Sequence, residues 1–145
     1  MSYQTSAAAV EQYRNLGLKS EVETASPHRL IQMLMERFLT KLHVAKRQME
    51  SSQIAEKGAA ISDAISIVNC LQVSLNHEPN AKLASNFDAL YDYMARRLLE
   101  SNMNNDPAGL AEVISLMNEI KTAWDLIGEE IAAKGEEEGA AATTA

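Results

Sequence analysis

Apolar side chains recur every three or four residues along four successive stretches of the chain, and polar or proline-containing segments separate these stretches. This spacing places the apolar residues on one face of an α-helix, because the helix completes a turn about every 3.6 residues. We find no run of alternating apolar and polar residues, the pattern that indicates a half-buried β-strand. The chain is therefore predicted to be all-α.

Two of the four stretches begin with a similar pair of residues. Ser26-Pro27 precedes the first stretch and Asp106-Pro107 precedes the fourth. A serine or aspartate side chain accepts a hydrogen bond from the free N–H groups at a helix start, and proline is tolerated at the first helical position. Asn80 offers a similar cap before the third stretch. Together with the periodicity, these signals predict helices over residues 27–50, 54–75, 81–101 and 107–133.

Long helices joined by short connections favour an antiparallel up-down-up-down four-helix bundle, which we expect over residues 25–133. Residues 1–24 are expected to be a mobile segment with one short helix, since so short a helix is unstable alone. Residues 134–145 lack an apolar face and are expected to form a disordered acidic and Ala/Thr tail. At 145 residues, the chain suits a single domain.

The charge and cysteine content restrict the location and partners of the chain. Its net charge is −7 and it has one cysteine. The negative charge disfavours nucleic acid and anionic membrane surfaces as partners. A single cysteine excludes an internal disulfide, and no apolar run approaches the roughly 20 residues that span a bilayer. We therefore expect a cytoplasmic protein that neither inserts into a membrane nor binds nucleic acid.

The sequence predicts no catalytic, cofactor or metal site. No two of His28, His43 and His77 share a helical face, and no glutamate is followed three residues later by histidine, as a di-iron bundle requires. Cys70 is expected to point away from the core as an inert thiol. The pair Arg96-Arg97 is expected to find an acidic partner across the bundle. We therefore predict that the protein is not an enzyme.

Several apolar residues lie outside the predicted core stripes. Ile67 lies about 120° from Ile61 around the second helix, so the apolar arc of this helix is wide. Such residues are either ordinary surface residues and contacts to a second neighbouring helix, or the lining of grooves for a partner helix. Other residues of this kind are Met33, Val44, Tyr93, Leu99, Met103 and Leu126.

Two sequence runs indicate a family. Residues 25–31 read Ala-Ser-Pro-His-Arg-Leu-Ile, and residues 90–99 read Leu-Tyr-Asp-Tyr-Met-Ala-Arg-Arg-Leu-Leu. The chain resembles the FliS family of flagellar secretion chaperones in these two runs, in their order along the chain and in the four-helix plan. The resemblance implies a bundle that binds the disordered C-terminal segment of flagellin in the cytosol. It also implies that the bundle prevents premature polymerisation and delivers flagellin to a component of the flagellar type III export gate.

The resemblance and the apolar surplus together suggest client-binding residues. In the family the N-terminal segment takes part in client and export-gate contacts, which points to Val10 and Tyr13. We expect Ile67, Leu71 and Tyr93 to line the client surface as well. A homodimeric structural bundle remains the alternative, because dimerisation also explains wide apolar arcs. A one-to-one complex with flagellin would favour the chaperone, and a constant dimer that ignores flagellin would favour the alternative.

Overall fold

The computed structural model describes residues 24–75 and 81–144, with side chains described as far as residue 130 except at 81 and 83. These residues form four α-helices: α1 (Pro27–Glu50), α2 (Ile54–Val73), α3 (Ala81–Asn104) and α4 (Pro107–Thr144). No strand occurs in the described part of the chain. The all-α prediction is thereby confirmed. Four residues named above, Val10, Tyr13, His77 and Asn80, lie outside the described residues.

The helices are arranged in a ring in which each packs against two others: α1 against α2, α2 against α3, α3 against α4, and α4 against α1. Lys57 near the start of α2 donates to the carbonyl of Asn102 near the end of α3, so these two helices are antiparallel. Short loops impose the same relation on the other sequence neighbours. The predicted four-helix bundle is confirmed.

The core lies along the axis of this ring, and most of its side chains belong to the predicted apolar stripes. Burying one large aliphatic or aromatic side chain stabilises a fold by about 1.5–3 kcal/mol, so the stripes supply most of the drive to pack. The largest fully buried side chains come from all four helices: Phe38, Leu34, Met35, Leu42, Ile61, Ile67, Val68, Met94, Leu98, Leu110 and Met117.

Side chains cap the starts of α1 and α4 as predicted. Ser26 Oγ accepts a hydrogen bond from Arg29 N at 3.1 Å, and Pro27 follows as the first residue of α1. Asp106 Oδ1 accepts one from Ala108 N at 3.1 Å at the start of α4. Each contact satisfies a backbone donor that has no partner within its own helix.

The ends of α1 and α3 have the same backbone geometry. After α1, Gln53 N donates to the carbonyl of Gln48 at 2.8 Å, and Ser52 has a φ of 60°. After α3, Asp106 N donates to Ser101 O at 2.9 Å, and Asn105 has a φ of 49°. These are Schellman motifs, which reverse the chain within two or three residues. Both tight loops lie at one end of the bundle, called the loop end below.

Helix α4 continues to Thr144, past residue 133, where the sequence predicts a tail to begin. The added residues are rich in alanine and glutamate, which have high helix propensity, and extending an existing helix requires no new nucleation. The division of the chain at residues 24 and 133 stays a prediction.

Two side chains expected to lie off the core are buried, and these expectations were wrong. Met33 of α1 and Cys70 of α2 both belong to the core cluster. The cause is the ring arrangement, in which every helix meets two neighbours and so buries a wider arc than one stripe. Burial raises the pKa of the Cys70 thiol more than a hydrogen bond with Ser74 lowers it, which keeps the thiol protonated and unreactive.

Gly109 permits the close approach of α4 to α3. A Cβ at Gly109 would lie 1.8 Å from Ser101 Oγ and 3.1 Å from Arg97 Cζ, whereas a Cβ at Gly58 of α2 would meet nothing within 4 Å. We predict that Gly109→Ala lowers the free energy of unfolding by about 1–3 kcal/mol through overpacking. Gly58→Ala, the matched control, should raise it by about 0.5–1 kcal/mol through helix propensity. Urea unfolding followed by circular dichroism measures both, and equal effects would contradict the packing account.

Candidate interaction surface

The structure describes three of the five predicted client-binding residues and exposes one of them. Ile67 is 0% exposed and Leu71 is 3% exposed, and both belong to the core cluster. Tyr93 on α3 is 38% exposed. Val10 and Tyr13 lie outside the described residues. Contact between a client and Ile67 or Leu71 requires movement of the side chains that cover them, and their client-binding role stays a prediction.

The wide apolar arc of α2 reflects its two neighbours. One edge of α2 faces α1, where Asp63 pairs with Lys41 at 2.9 Å. The other edge faces α3, where Gln72 Nε2 donates to both the carbonyl and a carboxylate oxygen of Asp88 at 3.3 Å. Ile67 therefore lies within an arc that the bundle itself covers. Sequence periodicity alone does not show which helices flank α2, so it overestimated the free apolar surface.

Apart from Tyr93 on α3, the large apolar side chains that are exposed among the described residues form two groups at opposite ends of the bundle. Ile54 and Met103 lie at the loop end, where the Lys57–Asn102 contact places the start of α2 beside the end of α3, and Leu99 lies one turn away. The opposite end, where α1 begins, carries the second group: Val73 at the end of α2, and Leu126 and Ile127 on α4.

The apolar stripes of the sequence include Ile54 in the second helix and Ile127 in the fourth, which predicts that both are buried, but the structure exposes both. Ile54 is the first residue of α2, and Ile127 lies beyond the part of α4 that packs in the core cluster. A stripe residue loses the neighbour that would cover it at the start of a helix, as for Ile54, or past the end of the packed core, as for Ile127. The closeness of each residue to an end of its predicted helix was the signal in the sequence that could have predicted its exposure.

Tyr93 belongs to a polar network that joins α3 to α4. Its hydroxyl donates to Glu112 Oε2, while Arg97 Nε donates to Glu112 Oε1 at 2.9 Å. Arg97 also pairs with Glu100 at 2.9 Å and with Asp106 at 3.6 Å. The acidic partner predicted across the bundle is confirmed for Arg97, whereas Arg96 pairs with Asp92 of its own helix at 3.2 Å.

These contacts shift the pKa values of the network. The hydrogen bond from Tyr93, followed by that from Arg97, lowers the pKa of Glu112. The same bond to Glu112 raises the pKa of Tyr93 above its ordinary value. A half-exposed carboxylate is therefore held ionised beside an exposed tyrosine ring, which fixes the orientation of that ring on the surface.

A buried lysine holds the α2–α3 contact at the loop end. Lys57 is 4% exposed, and its Nζ donates to the carbonyl of Asn102 at 2.9 Å. The carbonyls at the end of a helix lack intrahelical partners and carry a partial negative charge, so a lysine there is favourable. Lys57 thereby fixes the register of α2 against α3.

A ring stack holds the opposite end. His28 and Trp124 stack with centroids 4.6 Å apart and an angle of 6° between the rings. His28 Nε2 donates to the carbonyl of Trp124 at 2.7 Å, and Trp124 Nε1 donates to the carbonyl of His28 at 3.0 Å. A Cβ at Gly128 would lie 2.2 Å from His28 Cε1, so glycine leaves room for the stack. The start of α1 is thus fixed to α4.

The described residues offer surfaces that can bind another chain. No cluster of three or more His, Cys, Asp or Glu side chains within them is placed to hold a metal ion. None of the described helical segments combines the length and apolar content needed to cross a bilayer. What the surface does offer is apolar side chains set among ion pairs, which can bind the apolar face of another chain.

Comparison with known proteins identifies the family. A family model described as "Flagellar protein FliS" matches residues 9–131. The chain belongs to the FliS family. A relative from Pseudomonas aeruginosa, named flagellar secretion chaperone FliSB, is 44% identical over 117 residues, covering 81% of this chain and 93% of the relative. The Salmonella typhimurium flagellar secretion chaperone FliS is 38% identical, with coverage of 83% and 90%, and that of Escherichia coli is 40% identical, with coverage of 81% and 88%.

The two sequence runs that suggested the FliS family have different structural roles. In the first run, Ser26 caps the start of α1, and His28 stacks on Trp124 and so fixes α1 to α4. In the second run Tyr91 points into the core, where burial raises its pKa to about 12, whereas Tyr93 faces solvent. Much of the FliS pattern in this chain therefore specifies the bundle, while a partner can reach Tyr93 and the other exposed residues of the second run, Asp92, Arg96 and Leu99.

The network around Glu112 predicts a pH dependence of stability. Folding lowers the pKa of Glu112. The stabilisation that Glu112 provides is therefore fully present above the ordinary glutamate pKa, about 4.3, and is lost as the pH falls through the lower pKa of the folded state. Glu112→Gln should lower the urea midpoint near neutral pH, and its difference from the unmodified chain should shrink in acid. Glu119→Gln is the matched control on an exposed glutamate of α4. A Glu112→Gln effect that does not change with pH would contradict this assignment.

Proposed function

We propose that the protein is a cytosolic export chaperone for flagellin. It binds the otherwise disordered C-terminal segment of flagellin, prevents premature polymerisation and delivers the subunit to a component of the flagellar type III export gate. The observation that carries the proposal is membership of the FliS family over residues 9–131, with relatives named flagellar secretion chaperones.

The distribution of exposed apolar residues supports binding of a long segment rather than a compact ligand. The two exposed groups lie at opposite ends of helices that are about 35 Å long at 1.5 Å per residue. A client that contacts both must extend along the bundle, as an unfolded chain does and a small molecule does not. An amphipathic segment places its apolar residues on such sites as it becomes ordered.

The proposed activity is holding and not catalysis. Flagellin termini that expose apolar faces would pair with each other, and binding to the bundle withdraws those faces. The client must lose conformational entropy as it becomes ordered, which reduces the net affinity per unit of interface. Many modest contacts, each released in turn, suit a subunit that must be unfolded again for export.

The surface residue proposed to contact the client is Tyr93. Tyr93→Ala removes the ring and should weaken binding of a C-terminal flagellin fragment about tenfold, as loss of a contact residue at an interface does. Tyr93→Phe keeps the ring but removes the bond to Glu112, and should bind within about twofold of the unmodified chain. Isothermal titration calorimetry measures both affinities, and circular dichroism confirms that both variants remain folded.

The outcomes of this titration separate two claims. If the unmodified chain forms no one-to-one complex with the fragment, the chaperone proposal fails. If the complex forms but Tyr93→Ala binds as tightly as Tyr93→Phe, Tyr93 does not lie on the client surface. The buried residue Ile67 is unsuitable for this test, because a polar replacement there would unfold the bundle.

Val10 and Tyr13 are proposed to lie on a segment that covers an apolar groove when no client is bound and moves aside on loading. This proposal comes from the FliS family and from the short amphipathic pattern of the segment. Hydrogen exchange of the free and flagellin-bound chain should show protection of residues 3–16 that differs between the two states. Equal protection in both states would contradict the proposal.

A further inference from the structure

The methionine side chains of the bundle differ sharply in their access to solvent. Six of the seven methionines lie within the described residues. Met103 on α3 is 83% exposed, the largest exposure of any large apolar side chain among those residues. The other five are at most 4% exposed and belong to the core cluster: Met33, Met35, Met49, Met94 and Met117. An oxidant in solution therefore reaches Met103 far more readily than it reaches the core methionines.

The contacts of the loop end hold Met103 in its exposed position. Met103 lies in the last turn of α3. The carbonyl of the preceding residue, Asn102, accepts a hydrogen bond from Lys57 Nζ at 2.9 Å. Beyond Met103, Asp106 N donates to Ser101 O at 2.9 Å and closes the Schellman motif. The backbone is thereby fixed on both sides of Met103, so the fold itself presents this side chain to solvent.

We propose that Met103 is a site of reversible oxidation by peroxides, and that its sulfoxide weakens the binding of flagellin without unfolding the bundle. The effect on binding rests on the chaperone function proposed above. Met103 belongs to the exposed apolar group at the loop end, with Leu99 and Ile54. A sulfoxide introduces a hydrogen-bond acceptor into this group, and covering that acceptor with an apolar client face is unfavourable.

The oxidation transfers one oxygen atom and two electrons. The thioether sulfur attacks one oxygen of hydrogen peroxide, so that an S–O bond forms as the O–O bond breaks. The departing hydroxide takes the proton of the transferred oxygen and leaves as water. Sulfur is thereby oxidised to the sulfoxide and the peroxide is reduced. Methionine sulfoxide reductases reverse the change with a dithiol, which becomes a disulfide while the sulfoxide oxygen leaves as water.

The single cysteine does not compete for the oxidant. The Cys70 side chain is 8% exposed, and burial raises the pKa of its thiol. Peroxides react with a thiolate rather than with a thiol, so the buried and protonated Cys70 reacts slowly. A loss of flagellin binding after mild oxidation is therefore not expected to come from Cys70.

Peptide mass spectrometry after a brief exposure to limiting hydrogen peroxide tests the site. The folded chain should gain oxygen at Met103 at least about tenfold faster than at the five core methionines. In urea the six rates should converge, because unfolding exposes all six side chains. Circular dichroism of the oxidised chain should match that of the untreated chain. Equal rates in the folded chain, or loss of the helical signal on oxidation of Met103 alone, would overturn the proposal.

Titration calorimetry with a C-terminal flagellin fragment tests the effect on binding. Only the chaperone is treated, and the peroxide is removed before the client is added. The oxidised chain should bind about tenfold more weakly, and reductases for both sulfoxide epimers should restore the affinity. In Met103→Leu, peroxide should change the affinity less than about twofold, since leucine has no sulfur. Met117→Leu, the matched control in the core, should lose affinity on oxidation as the unmodified chain does.

The outcomes separate this inference from the chaperone proposal. If the untreated and oxidised chains bind the fragment equally well, the effect of Met103 oxidation is overturned and the chaperone proposal stands. If Met103→Leu loses affinity on oxidation as the unmodified chain does, another site is responsible and the inference is overturned. If the untreated chain binds no fragment, the chaperone proposal fails together with the effect on binding, and the mass spectrometry alone decides whether Met103 is the oxidation site.

Discussion

Every helix of this bundle must bury an apolar arc against two neighbours at once, and the rest of the structure follows from that requirement. It explains why Met33, Ile67 and Cys70, which lie away from the central stripes, are nevertheless buried. It also limits the apolar surface that stays free for a partner. Among the described residues, that surface is confined to the two ends of the bundle and to the outer face of α3, which no neighbouring helix covers.

Polar contacts and glycines set how the helices are aligned within the ring. Lys57 fixes α2 against the end of α3, Arg97 and Glu112 join α3 to α4, and His28 stacks on Trp124 where α1 meets α4. Apolar packing is not directional, so it leaves sliding along a helix inexpensive, whereas these hydrogen bonds fix one register. A rigid framework of this kind presents its exposed side chains at fixed spacing, which lowers the entropic cost of binding a flexible client.

Local signals in the sequence predicted the helices well, since the caps at Ser26 and Asp106 and the periodic stripes depend only on nearby residues. Whether each apolar residue is buried or exposed was harder to predict, because this depends on which helices become neighbours. Ile67 was expected on the surface and is buried, while Ile54 was expected in the core and is exposed. The sequence predicted that Arg97 has an acidic partner, but the identity of that partner, Glu112, depends on the close approach of α4 to α3 at Gly109.

The central claim is that flagellin binds to the exposed apolar side chains of an intact bundle. Isoleucine methyl groups distinguish the two surfaces, because Ile54 and Ile127 are exposed whereas Ile61 is buried. The most direct measurement is the methyl NMR spectrum of isoleucine-labelled protein during titration with the C-terminal segment of flagellin. The account predicts that the Ile54 and Ile127 signals shift while the Ile61 signal stays in place. A large shift at Ile61 with none at Ile54 and Ile127 would mean that the client opens the core, and would contradict the account.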